Sequence, residues 1–213
     1  MQLNFIFKSF AILIFSSSLF GSKIFGRIHN KHHGVIFNRV EEAIKNNNFK
    51  KALNILIKEF KNKRKSSAQY YFLLARIQQE NKNNTNALIN YTIAIEKDKR
   101  NFKAWNNRGL VKGSLKDFKG ALTDFSEAIN LNKNFEAAYI NRGVTYSANL
   151  LPNKAISDFN KAIEINPKSI EGYTNRALAH QYLKNNDQLC LDLKMLKSLG
   201  NTKVDEWIKE YCK

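Results

Sequence analysis

Two prolines and nine glycines are few for a chain of 213 residues. Sandwiches and barrels need turn residues at short, regular intervals, so this scarcity argues for helices. Cysteine and histidine are equally sparse, and none of them cluster at metal-ligand spacing: His29, His32 and His33 sit near the N-terminus and His180 stands alone. No glycine-rich phosphate loop is present, because "GLVKG" (Gly109–Gly113) occupies a helix and follows no strand. The stretch "GVTYSANL" from Gly143 lacks the strand-to-helix setting of a nucleophile elbow. The chain is therefore not expected to be an enzyme, and no catalytic residue, metal or cofactor is assigned.

Acidic residues are also in deficit, at 18 against 35 Lys and Arg, for a formal net charge of +17. The excess is uneven: residues 1–67 hold 13 basic and 3 acidic side chains, and residues 68–213 the other 22 and 15. The densest run, "KEFKNKRK", contains Lys58, Lys61, Lys63, Arg64 and Lys65. Such a patch can meet anionic lipid or nucleic acid. The 28 asparagines favour a compositional origin, since Lys and Asn rise together in AT-rich coding sequence. Nucleic acid is not the expected partner.

The apolar run Phe10–Phe20 follows Lys8 and suits a signal-peptide core; it is short of the roughly 20 residues that span a bilayer. Residues 1–26 are read as a signal peptide or N-terminal membrane anchor, with a buried N-terminal helix as the alternative. Residues 27–33 read as a basic linker. An exported, periplasmic or membrane-anchored location follows from this reading.

From residue 68 the chain repeats itself. Steps of 34 align the aromatics Tyr71, Trp105, Tyr139 and Tyr173, and the small residues Ala75, Gly109, Gly143 and Ala177. They also align Ala87, Ala121 and Ala155, then Tyr91, Phe125 and Phe159, then Ala94, Ala128 and Ala162. The fourth unit has Leu189, Leu193 and Leu196 in those last three columns. Ala121, Phe125 and Ala128 fall at i, i+4 and i+7, one face of a helix. Each unit holds two helix-length segments, such as Phe102–Leu115 and Phe118–Leu131. A single hairpin of this kind cannot bury its apolar face, but stacked hairpins can.

These columns, with the terminal Asn166-Pro167, resemble tetratricopeptide repeats. The resemblance implies an all-α fold, a right-handed α-solenoid of antiparallel helix pairs closed by a C-terminal capping helix. The repeats are expected at 68–101, 102–135, 136–169 and 170–203, after a degenerate hairpin at 34–67 and before a cap at 204–213. The family also implies a concave groove lined mainly by the first helices.

Three units carry Arg108, Arg142 or Arg176 with Asp124, Asp158 or Asp192 sixteen residues later. The unit before them replaces both members, with Leu74 and Asn90. Joint replacement marks an expected structural column of Arg–carboxylate pairs. The family also implies that Asn107, Asn141 and Asn175 face the groove and bond a peptide backbone; tying adjacent first helices together is the equal alternative. The family's two-carboxylate clamp is not matched, because Phe72, Asn106, Ile140 and Thr174 stand where its lysine belongs. The candidate groove residues are Asn106, Asn107, Leu110, Ile140, Asn141, Val144, Asn175, Leu178 and Tyr182. Their mixed, fairly apolar character suits a helix or an extended segment with small apolar side chains.

Cys190 lies on the expected last helix of the array, Asp187–Ser198, and Cys212 on the cap. If the chain turns at Leu199–Asn201, an antiparallel pair sets the two cysteines opposite one another. A disulfide is then expected, with two buried thiols as the alternative. The expected function is a protein-interaction scaffold, possible in envelope or membrane-complex assembly, whose partner is another polypeptide. The alternative is an adaptor that binds polyanions through its basic N-terminal face.

Overall fold

The computed structural model describes residues 34–60 and 67–212. The expected leader and linker, and Lys61, Lys63, Arg64 and Lys65 of the basic run, lie outside the described residues. Every regular element among the described residues is a helix. None of these helices is long and apolar enough to cross a membrane. The chain divides into two compact units, residues 1–65 and 66–213.

In the first unit, α1 (34–45) and α2 (Phe49–Phe60) form one hairpin. Ile36, Val40, Ala43 and Ile44 repeat along one face of α1 and are buried, as are Ala52 and Leu56 of α2. Lys58 is exposed.

The second unit runs α3 (Ala68–Glu80), α4 (Asn84–Lys97), α5 (Phe102–Ser114), α6 (Phe118–Leu131), α7 (Glu136–Ala148), α8 (Pro152–Ile165), α9 (Ile170–Tyr182) and α10 (Asn186–Ser198). A 3₁₀ turn (Thr202–Val204) and the short α11 (Asp205–Tyr211) close it. Helices pack in pairs, α3 with α4 through α9 with α10, and each second helix also packs on the next first helix. The result is a right-handed α-solenoid of antiparallel pairs.

Helix ends follow from local chemistry. Asn83, Asn101, Asp117, Ser169 and Asn185 cap α4, α5, α6, α9 and α10, each accepting a hydrogen bond from a first-turn backbone N–H. The cap by Asn185 starts α10 at Asn186, one residue before the expected Asp187. Pro152 opens α8, where its missing N–H costs nothing. Inside every hairpin the chain reverses through one left-handed residue: Asn47, Lys82, Lys116, Leu150 and Lys184, with φ between 55 and 64°. The Leu150 N–H donates to Ser147 O (3.0 Å) and the Leu151 N–H to Tyr146 O (2.9 Å), which satisfies the last carbonyls of α7. The same pair of bonds recurs at Lys116–Asp117 and Lys184–Asn185.

The core is a stack of small-against-large contacts. Phe125 and Phe159 are buried between Ala121 and Ala128, and between Ala155 and Ala162, all four alanines fully covered. A Cβ at Gly109 or Gly143 would lie 2.7 Å from Phe125 Cε1 or 2.5 Å from Phe159 Cε1. Glycine in this column lets the first helix rest directly on the ring of the second. In the fourth repeat Leu189, Leu193 and Leu196 are fully buried, with Val204 and partly covered Trp207, Ile208 and Tyr211 packed over them.

Candidate binding face of the first helices

α5, α7 and α9 are held in register by the arginine column. Arg142 donates from Nε to Asp158 Oδ2 (2.8 Å) and from Nη2 to Asp158 Oδ1 (2.7 Å), a bidentate fork across its own hairpin. Its remaining donor, Nη1, reaches Ser126 Oγ on the preceding second helix at 3.1 Å. Arg108 repeats the fork on Asp124 at 2.8 and 2.9 Å and reaches Thr92 Oγ1 at 3.3 Å. Arg176 holds Asp192 and reaches Asn160 Oδ1 at 2.7 Å. Asp124 also meets Lys112 Nζ at 2.9 Å. All three aspartates are buried, so their charge is matched by bonds and not by water. The Asp158 carboxylate raises the pKa of the Arg142 guanidinium, chiefly through its hydrogen bonds.

Each guanidinium also lies over the aromatic four or fewer residues earlier: 4.8 Å above Trp105, 5.8 Å above Tyr139 and 5.4 Å above Tyr173. Where Leu74 and Asn90 replace the pair, Asn90 Nδ2 donates instead to Gln78 Oε1 at 2.8 Å. The third arm of each arginine was open to sequence reasoning: Thr92, Ser126 and Asn160 are a polar column at the same 34-residue step.

The nine groove candidates separate into three groups. Leu110, Val144 and Leu178 are exposed on α5, α7 and α9, and Tyr182 stands 64% exposed one turn beyond Leu178. They form an apolar row across successive first helices. Beside its end is a depression of about 240 Å³ lined by Val144, Ser147, Pro152, Asn175, Leu178, Ala179 and Tyr182. No column of the repeat marked Ser147, Pro152 or the buried Ala179 as lining this depression.

Ile140 and Asn106 must be removed from the groove. Ile140 is 3% exposed and packs with Ala128, Ala138 and Tyr139. Asn106 is 4% exposed, where its Nδ2 donates to Asn107 Oδ1 (3.1 Å) and its Oδ1 accepts from Asn141 Nδ2 (2.9 Å). Neighbouring first helices close over this column and cover it. The asparagine column itself is divided. Asn141 ties α7 to α5 through Asn106, and Asn107 accepts at the end of that relay. Asn175 instead donates to Glu171 O in its own helix at 2.9 Å.

Cys190 and Cys212 form a disulfide that joins α10 to the residue after α11, which sets aside the reading of two unpaired thiols. His180 is buried on α9, and its Nδ1 has no hydrogen-bond partner among the described residues. Burial lowers its pKa below the ordinary histidine value, the Asp192 charge works against that shift, and Arg176 adds to it. Among the described residues no group of His, Cys, Asp or Glu is placed to hold a metal ion.

Family models of the tetratricopeptide repeat match residues 102–135 and again residues 136–169. No curated protein matches the chain by sequence. Solved structures do. PilF of Pseudomonas aeruginosa is similar with a TM-score of 0.73 at 19% identity, over 79% of this chain and 77% of that one. YrrB, described as a tetratricopeptide-repeat protein with an unusual peptide-binding site, is similar with a TM-score of 0.64 at 19% identity, over 82% and 90%. MamA from Desulfovibrio magneticus is similar with a TM-score of 0.63 at 16% identity, over 80% and 94%.

Proposed function

The chain belongs to the tetratricopeptide-repeat family, and from that premise we propose that it is a non-catalytic scaffold holding a segment of another polypeptide across its first helices. The observation that carries this reading is the exposed row Leu110, Val144, Leu178 and Tyr182, ending at a depression sized for one or two apolar side chains. A folded chain keeps three apolar side chains in water at equivalent repeat positions, with a fourth one turn beyond, when something else covers them. The peptide-binding site of YrrB supports the same use of the fold. The partner segment carries branched or aromatic apolar side chains at helical or extended spacing.

The protein acts outside the reducing interior, in the envelope or attached to a membrane, where it assists assembly of a larger complex. The leader-like residues 1–26 and the Cys190–Cys212 bond support that setting. The basic run from Lys58 to Lys65 is a secondary, non-selective charge in this reading.

Site-specific photo-crosslinking in cells tests the groove. A photo-reactive residue at position 144 or 178 is expected to capture one discrete polypeptide, and one at the exposed Thr123 of α6 is not. Leu178→Asp and Tyr182→Ala should each cut the yield at position 144 at least about tenfold while circular dichroism stays unchanged. Equal capture from all three positions, or a yield indifferent to both variants, removes the groove reading. Binding to anionic vesicles that falls steeply with salt, with no crosslink at 144, puts the polyanion reading first.

A further inference from the structure

α11 is the least self-sufficient element of the second unit. It has seven residues, no fully buried side chain and no side-chain cap at its N-terminus. A helix of that length does not persist alone in water. Beneath it lies an apolar cluster: Tyr173, Ala177, Leu189, Leu193 and Leu196 are buried there, with Trp207, Ile208 and Tyr211 laid partly over them. The corresponding faces of α4, α6 and α8 are each covered by a 13-residue first helix. Besides this packing, α11 is held by three ties. Gln181 Nε2 donates to Tyr211 Oη at 3.1 Å, Lys197 Nζ meets Asp205 Oδ1 at 2.9 Å in a pair whose side chains are about half in water although Oδ1 itself is covered, and Cys212 is bonded to Cys190. The first two are weak, since one is a single neutral bond and the other is screened by water.

The covalent tie is also the one open to chemistry. Leu189 and Leu193, the neighbours of Cys190 on the inward face of α10, are fully buried, whereas Cys190 and Cys212 are only partly covered. Neither cysteine is sealed in the core as those leucines are.

We propose that the Cys190–Cys212 bond is a redox latch on the cap, whose reduction undocks α11 and uncovers the apolar end of the solenoid while α3–α10 stay folded. The reductant is a dithiol. Its thiolate attacks one sulfur of the bond, its second thiol resolves the mixed disulfide, and two electrons and two protons pass to the protein. The products are the free thiols of Cys190 and Cys212 and an oxidised dithiol. Without the tether, α11 keeps the packing of the partly covered Trp207, Ile208 and Tyr211 and the two weak polar ties. The turn at Leu199–Asn201, with Gly200 at φ 89°, gives the chain a pivot.

Hydrogen exchange on the full chain, oxidised and after dithiothreitol, tests this. On reduction the amides of residues 205–212 should exchange at least about 30-fold faster, while those of α3 to α8 change by less than about twofold. Fluorescence of the apolar dye anilinonaphthalene sulfonate should rise with the same dithiol dependence. Cys212→Ser, and independently Cys190→Ser, should reproduce the reduced pattern without any reductant. Unchanged protection of 205–212 after reduction overturns the proposal, because packing alone then holds the cap. Acceleration of all helices together overturns it as well, because the bond is then a staple for the whole unit.

Discussion

Arg142 clamps Asp158 with two bonds of 2.8 and 2.7 Å and keeps its third donor for Ser126, so one side chain joins three consecutive helices. Asp158 is buried, and removing the arginine leaves its charge without the fork. Arg142→Ala should lower unfolding stability by roughly 3 kcal/mol. In a double-mutant cycle with Asp158→Ala the pair should show a coupling of at least about 1 kcal/mol in urea denaturation. Ser126→Ala should cost less, about 1 kcal/mol, because it removes one bond and no charge partner. A coupling near zero would mean that the arginines only decorate the hairpins.

Two glycines of the first helices, Gly143 on α7 and Gly113 on α5, respond in opposite directions to a methyl group. A methyl group at Gly143 meets Phe159 Cε1 at 2.5 Å, inside the contact limit and against a ring walled in by Ala155 and Ala162. Gly143→Ala should destabilise by roughly 1–3 kcal/mol despite the better helix propensity of alanine. At Gly113 the nearest atom is Ala121 Cβ at 4.0 Å, so the substituent makes an ordinary contact. Gly113→Ala should stabilise by about 0.5–1 kcal/mol. Thermal melts of the two variants side by side check the contrast.

Why some of this was legible in the sequence and some was not follows from what repetition can reveal. The span Phe118–Leu131 was read directly, because three registers place its ends independently. Arg108 and Asp124 stood out because both types recur together and disappear together at Leu74 and Asn90. The turn residues Lys82, Lys116, Leu150 and Lys184 share a left-handed conformation, but lysine, which fills three of the four positions, has no preference for it, so their column pointed to no turn. Asn106 and Leu110 lie four residues apart on one helical face, yet one is covered and the other exposed. Only the approach of the neighbouring helix separates them, and no single-helix period contains that approach.

The left-handed turns leave room for improvement. Leu150 holds φ at 57° and is 71% exposed, so its side chain gains little packing while its Cβ strains the backbone. Leu150→Gly should raise stability by about 0.5–1 kcal/mol, and Leu150→Asn by less. Leu150→Val should lower it, since a branched Cβ tolerates this conformation worst. Midpoints of chemical denaturation for the three variants should fall in the order Gly, Asn, Val.

His180 makes the fourth repeat sensitive to acid. Its folded pKa lies below the ordinary value, with burial the main cause, so the unfolded chain takes up the proton first as the pH falls. The contribution of the neutral ring is therefore complete above the unfolded pKa of about 6.5 and is lost progressively as the pH drops through the folded value. Protonation would also turn the buried, unpartnered Nδ1 into a donor with no acceptor, beside the positive charge of Arg176. Asp192 tempers the effect without removing it, because its oxygens are already held by Arg176. Moving from pH 7 to pH 5 should lower the urea midpoint, and His180→Gln, which cannot titrate, should flatten that dependence. A midpoint that falls equally in both proteins would mean that His180 is not the source of the acid sensitivity.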